Sequence, residues 1–238
     1  MKSETRQCQN CKKDFVIEQN DFLFYEKIKV PLPTFCPECR AQRRYAWRNE
    51  RSLYHRECAK CGTRVISIYS EEKPFPVYCS TCWFGDEWDP ADYQIDYDST
   101  KDFLAQYNEL LNKVPHLAIP NFKNINSEYG SWLDECKGCY LVFGSSRCED
   151  VLFSETLQDC KYSLDLSNCD SAEFSYNSVY CHHSNNMQYS VNCDACVDCY
   201  FCFDLKGCQN CFLSYNLRHK NYMILNRQYS PEEWKEKE

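Results

Sequence analysis

Four Cys-x-x-Cys pairs, Cys8/Cys11, Cys36/Cys39, Cys58/Cys61 and Cys79/Cys82, account for every cysteine before residue 136. A two-residue spacer lets both sulfurs of a short turn face one metal ion. Two such knuckles then supply the four thiolates of a tetrahedral zinc site, with Zn–S of about 2.3 Å. The 24, 18 and 17 residues between successive pairs each suffice for a hairpin or a short helix. These eight cysteines are therefore expected to bind two structural zinc ions. Sequential pairing, first knuckle with second and third with fourth, is the expected arrangement. Interleaved pairing, as in cross-brace fingers, also suits four evenly spaced knuckles.

A chain of 238 residues can hold two or three compact units. Met1 to Arg6 runs straight into the first knuckle with no secretory signal, and no apolar run reaches the length of a membrane span. The expectation is a cytoplasmic protein with no membrane partner, whose 20 cysteines are metal ligands and reduced buried thiols rather than disulfides. The net charge of −8 is unevenly placed. Residues 1–60 carry 13 Lys/Arg against 8 Asp/Glu, so the head is basic and the remainder acidic. If either part meets an anionic partner, it is the head.

Residues 1–56 form the first expected module, with a basic helix at its end. Phe15-Val16-Ile17 and Phe22-Leu23-Phe24-Tyr25 could pair as a hairpin, or a helix could start after Asn20. Phe15, Phe24, Ile28 and Phe35 make too small an apolar set to fold alone, so metal has to stabilise it. The runs C-Q-N-C-K-K-D-F, F-Y-E-K-I-K-V-P and C-P-E-C-R-A-Q-R-R, over about residues 6–44, resemble the bacterial "probable zinc-ribbon" domain family. That resemblance implies zinc held by Cys8, Cys11, Cys36 and Cys39, and it carries no activity. The layout of zinc head and Cys-rich tail is also similar to that of bacterial zinc-binding proteins with no assigned activity. A treble-clef-like helix is expected to leave the second knuckle. On it Arg40, Arg44, Arg48 and Arg51 would share one face, able to grip phosphates or pair with the acidic body.

Residues 57–90 read as a zinc ribbon, with strands at Val65–Tyr69 and Pro76–Tyr78. Residues 91–126 read as a linker with an amphipathic helix capped by Ser99. Its face of Phe103, Leu104, Tyr107, Leu110, Leu111 and Val114 is expected to pack inside the chain. From residue 127 to 217, Cys139, Cys160, Cys181 and Cys202 recur every 21 residues, and Cys148, Cys169 and Cys211 sit on a second such lattice. Too few apolar residues are present for helix pairs. The expected fold is a mainly β domain, a parallel β-solenoid of about 21 residues per turn and roughly four turns, its cysteines mostly core. Residues 218–238 would cap it, with a helix starting at Ser230-Pro231.

No phosphate loop, nucleophilic triad or open metal site is visible, and an all-Cys zinc site is closed. The expected function is a non-enzymatic zinc-binding adaptor or scaffold with a protein partner. The alternatives are a nucleic-acid- or ribosome-associated protein acting through the arginines, and a redox or iron–sulfur protein using the tail thiols, above all Cys193 to Cys202.

Overall fold

A computed structural model describes residues 3–46 and 51–237. The chain divides into two compact units, Met1–Asn49 and Glu50–Glu238.

In the first unit, β1 (Glu4–Gln7) and β2 (Asp14–Ile17) form an antiparallel hairpin with the first knuckle at its tip. Helix α1 (Gln19–Lys27) follows, so Phe22 to Tyr25 are helical rather than a second strand. The Asp21 carboxylate accepts the Glu18 amide at 3.0 Å and fixes the helix start. Phe15, Ile17 and Phe22 are buried with the knuckle cysteines, and Leu32 and Phe35 pack on their edge. Phe24 and Ile28, expected in this core, are exposed, because α1 turns its inward side at Phe22. Helix α2 (Pro37–Tyr45) leaves the second knuckle as expected, with Pro37 in the first turn where its missing amide costs nothing.

The second unit opens with another knuckle-bearing hairpin, β3 (Tyr54–Glu57) against β4 (Arg64–Ser67). β5 (Val77–Tyr78) leads into the short helix α3 (Ser80–Trp83) and pairs in parallel with β6 (His116–Leu117). Between them lies α4 (Phe103–Lys113), capped by Asp102, whose carboxylate accepts the Ala105 amide at 2.8 Å. Ser99 was the expected cap, but its neighbour Thr100 is tied back to Asp98 through both amide and hydroxyl. The expected inward face is also corrected. Phe103, Leu104 and Tyr107 are exposed while Leu110, Leu111 and Val114 are half-buried, and the fully buried residue of α4 is Gln106, hydrogen-bonded to both backbone groups of Asp98.

From Phe122 onward the backbone pairs in parallel with itself twelve residues ahead. One unbroken column runs Ile125, Lys137, Glu149, Lys161, Glu173, Asn185, Val197, Gln209 and Asn221. The domain is a β-solenoid of about 8 turns with about 12 residues per turn. Each turn has four sides of three residues. The first residue of a triplet points inward, and the third takes the left-handed conformation at nearly every triplet, as at Gly138, Asp150, Tyr162 and Phe174. That conformation explains the asparagines, aspartates and glycines at these positions. Thr156 is the single β-branched residue in the left-handed set.

The expected period of 21 is therefore wrong. Twenty-one residues are one turn plus three sides, so Cys139, Cys160, Cys181 and Cys202 occupy four different sides instead of one column. The columns that do stack include Cys136-Cys148-Cys160, Cys169-Cys181-Cys193 and Cys199-Cys211, all buried.

The narrow bore explains the cysteines. The inward residues of one turn are Leu157, Cys160, Ser163 and Leu166; of another, Cys181, Ser184, Met187 and Ser190; of a third, four cysteines at 193, 196, 199 and 202. Small side chains keep such a bore filled without overpacking. They also carry hydrogen bonds. The inward residue's amide has no backbone partner in the ladder, and where the residue one turn earlier is serine or cysteine its side chain supplies one. Cys139 donates to Ser127 Oγ at 3.0 Å and Leu157 to Ser145 Oγ at 3.0 Å. Cysteine sulfur does the same, as where the Ala172 amide meets Cys160. Each hydroxyl or thiol in turn donates to the carbonyl two residues back, such as Ser154 to Leu152 at 2.8 Å and Cys160 to Gln158 at 3.4 Å.

Replacement at Cys160 tests this role. Cys160→Ser keeps both bonds and should cost about 1 kcal/mol or less, whereas Cys160→Ala strands the buried Ala172 amide and should cost about 2–3 kcal/mol. Urea unfolding followed by circular dichroism reads the difference, and equal costs would show that the thiol acts by volume alone.

The last turn is covered. Asn221–Ile224 pairs antiparallel with Arg227–Gln228, and α5 (Pro231–Lys237) follows. Ser230 and Glu233 exchange side-chain-to-amide bonds at the start of this helix, as expected of a cap, and Trp234 is buried beside Tyr222.

Candidate metal centres

The knuckles pair sequentially. In the first unit Cys8 and Cys11 lie on the turn between β1 and β2, Cys36 precedes α2 and Cys39 sits in its first turn. In the second unit Cys58 and Cys61 lie between β3 and β4, Cys79 precedes α3 and Cys82 lies within it. Within each set all four sulfurs fall within 4.8 Å of one another. Cys11 and Cys36 are 3.7 Å apart and Cys61 and Cys79 are 3.8 Å apart. A tetrahedron with Zn–S of about 2.3 Å has an edge of about 3.8 Å, which these two pairs match, so each set could hold a metal of that size.

The two centres repeat one backbone plan. Each first knuckle closes with an amide-to-carbonyl bond across the turn, Cys8 to Lys13 and Cys58 to Thr63, both at 2.9 Å. Each turn then passes through a left-handed residue, Lys12 or Gly62. The residue after the first cysteine anchors to the strand or loop before the second knuckle, Gln9 to Thr34 and Ala59 to Val77. An amide also points at a sulfur in each: Cys36 N–H at Cys8 and Cys79 N–H at Cys58, both at 3.3 Å.

Such donors favour thiolate. Burial pushes the Cys8 thiol up, but amide bonds from Cys36, Cys11 and Asn10 outweigh it and bring it down to about 6. The Thr63 hydroxyl and amide bring Cys61 down to about 6. Cys82 is pushed up to about 12 by burial and by the neighbouring thiols. Four clustered thiols cannot all ionise without a cation among them, and a divalent soft metal supplies that charge. Two partners of these sulfurs were not singled out from the sequence. Asn10 donates its amide to Cys39 at 3.3 Å, and Thr63 lies 3.3 Å from Cys61. Their positions inside and just after a knuckle are the one signal that could have found them.

Of the four arginines, Arg40 and Arg44 stand one turn apart on α2. α2 ends at Tyr45. Arg40 is half-buried and donates to the Tyr25 hydroxyl at 2.7 Å, bracing α2 on α1. Arg44 is exposed, and Arg48 lies outside the described residues. Arg51 belongs to the other compact unit and pairs with Glu155 of the solenoid. Arg40 is thus engaged in helix packing and Arg51 in an ion pair, each within its own unit.

Cys193, Cys196, Cys199 and Cys202 occupy the four sides of one turn, each thiol donating to a carbonyl at 3.3–3.5 Å. Among the described residues, the two knuckle sets are the groups in which three or more ligand atoms converge. His182 and His183 point away from the bore. Among the described residues no helix is long and apolar enough to cross a membrane. No protein-family model matches the chain, and no curated protein matches it.

Proposed function

We propose that the chain is a non-enzymatic zinc-binding adaptor whose two metal centres are structural and whose solenoid presents a rigid surface to a protein partner. The observation that carries this reading is the closure of both centres. Four cysteines at tetrahedral spacing leave no coordination position for water or substrate, which is the pattern of a structural zinc. The head keeps its family resemblance to zinc ribbons as part of the proposal. Support for the partner surface comes from the solenoid, where rungs of exposed rings stack, as Tyr162 on Phe174 and Tyr189 on Phe201 at 5.2 and 4.7 Å. Exposed aromatic surface of this extent suits protein contact.

The nucleic-acid reading would have to work with an Arg40 held by Tyr25 and an Arg51 held by Glu155, and the iron–sulfur reading draws no support from thiols that are satisfied by carbonyls. The zinc-loaded full chain, cross-linked in its native cell and recovered with nuclease present, should bring down one protein partner in fixed proportion. Recovery that disappears with nuclease would favour the nucleic-acid reading instead.

A further inference from the structure

Every inner turn of the solenoid meets the same demands from the turn before it. Its left-handed residues donate their amides to that turn, as Asp150 does to Lys137 at 2.9 Å, and its inward carbonyls accept from it, as Cys148 does from Lys137 at 2.9 Å. Its inward amides take a side-chain acceptor wherever the residue twelve back is polar, as Cys139 does from Ser127. The first turn has no such neighbour. Among the described residues, the amides of Lys123, Asn124, Ser127 and Tyr129 and the carbonyls of Asn124 and Ser127 have no partner. The last turn is covered by Arg227–Gln228, so the two ends differ.

This unmet edge faces a cleft of about 810 Å³ between the first turn and the β3–β4 hairpin, with Arg64 and His55 on the hairpin side and Glu128 on the solenoid side. The size falls in the range of binding clefts. The Arg64 guanidinium has no hydrogen-bond or ion-pair partner among the described residues, while Lys123 is held by Glu135 at 3.0 Å.

From this pattern we infer that the cleft is a peptide-binding site that adds one more turn to the solenoid. The ligand is an extended segment with a hydrogen-bond acceptor side chain at every third residue, serine, asparagine or aspartate, to meet the amides of Asn124 and Ser127. One of these is a carboxylate opposite Arg64, and Glu128 selects against a second. Backbone pairing along the edge supplies affinity and the three-residue spacing supplies specificity, the logic of strand addition. A small anion would meet Arg64 but not a row of backbone groups recurring every three residues. This inference rests on the adaptor reading and names the partner's chemistry.

The test uses the zinc-loaded full chain and a fluorescein-labelled peptide, aspartate-tyrosine-asparagine-serine-tyrosine-asparagine, acetylated and amidated. Fluorescence anisotropy should show saturable binding. Replacing the peptide's aspartate and serine by valine, or Arg64→Glu in the protein, should each weaken it at least tenfold. Hydrogen exchange should slow at the amides of Lys123 and Tyr129 when the peptide is bound. Equal binding of the valine peptide, no slowing at those amides, or no binding at millimolar peptide overturns the inference. Concentration-dependent dimerisation that competes with the peptide would assign the edge to a second copy and also overturn it. The adaptor reading stands or falls separately. A cellular partner retained by Arg64→Glu without peptide binding leaves that reading intact, whereas peptide binding in a chain that recovers no partner sinks that reading alone.

Discussion

Cys36→Ser should remove one of two zinc ions and unfold residues 3–46, leaving the solenoid intact. Among its described residues the first unit buries only Phe15, Ile17 and Phe22 besides its cysteines, too little to hold an isolated module of this size. Structural zinc contributes about 10–16 kcal/mol in zinc-finger peptides, so its loss exceeds any plausible stability of this core. Cys61→Ser should remove the other ion with a milder effect. The second centre is held to the rest of its unit by β5–β6 pairing and by the Ile68 amide on the Ala118 carbonyl. Elemental analysis gives the zinc count, and hydrogen exchange locates the unfolding. A zinc content unchanged by both substitutions would reject the assignment. Acid should act in the same direction. Cys8 and Cys61 are held at about 6, below the ordinary thiol value of about 8.5. Their contribution is therefore fully present above that ordinary value and is lost as pH falls through about 6, so zinc release should steepen there.

The second large effect is a contrast between two deletions in the solenoid. Removing the twelve residues Glu173 to Ser184 takes out one whole turn, brings Asn185 into the place of Glu173 and preserves every column. Stability should fall by roughly one turn's share, with a cooperative transition retained. Removing Asn177 alone shifts every later residue by one. Cys181, Met187, Cys193 and the inward set beyond them would then leave the bore, and exposed residues would enter it. The segment from residue 178 to the C-terminus should lose its protected amides altogether. Thermal unfolding and hydrogen exchange of the two deletions read the contrast directly. A twelve-residue deletion as damaging as the single one would refute the twelve-residue turn.

The eight knuckle cysteines could be read without a structure because metal-ligand spacing is local. Two residues between sulfurs set their approach within one turn of chain, and no distant contact can alter it. That a helix leaves the second knuckle, though it starts at Pro37 rather than Arg40, and that Ser230 caps the last helix were legible for the same reason, since each depends on neighbours within a few positions. Sequence also marked the tail as a solenoid with cysteine in its core. Spacings of 9, 12 and 21 are all multiples of three, and three is the true unit, fixed by one inward residue and one left-handed residue per triplet. How many triplets close a turn is a different matter. Closure depends on hydrogen bonds between residues twelve apart, and any multiple of three keeps the inward pattern, so cysteine spacing could not separate four sides from seven. Tertiary structure alone likewise decided the fate of the arginines and of the α4 face. A helical wheel arranges side chains on one helix, but it carries no information on Tyr25 awaiting Arg40, Glu155 awaiting Arg51, or the exposure of Phe103 and Leu104.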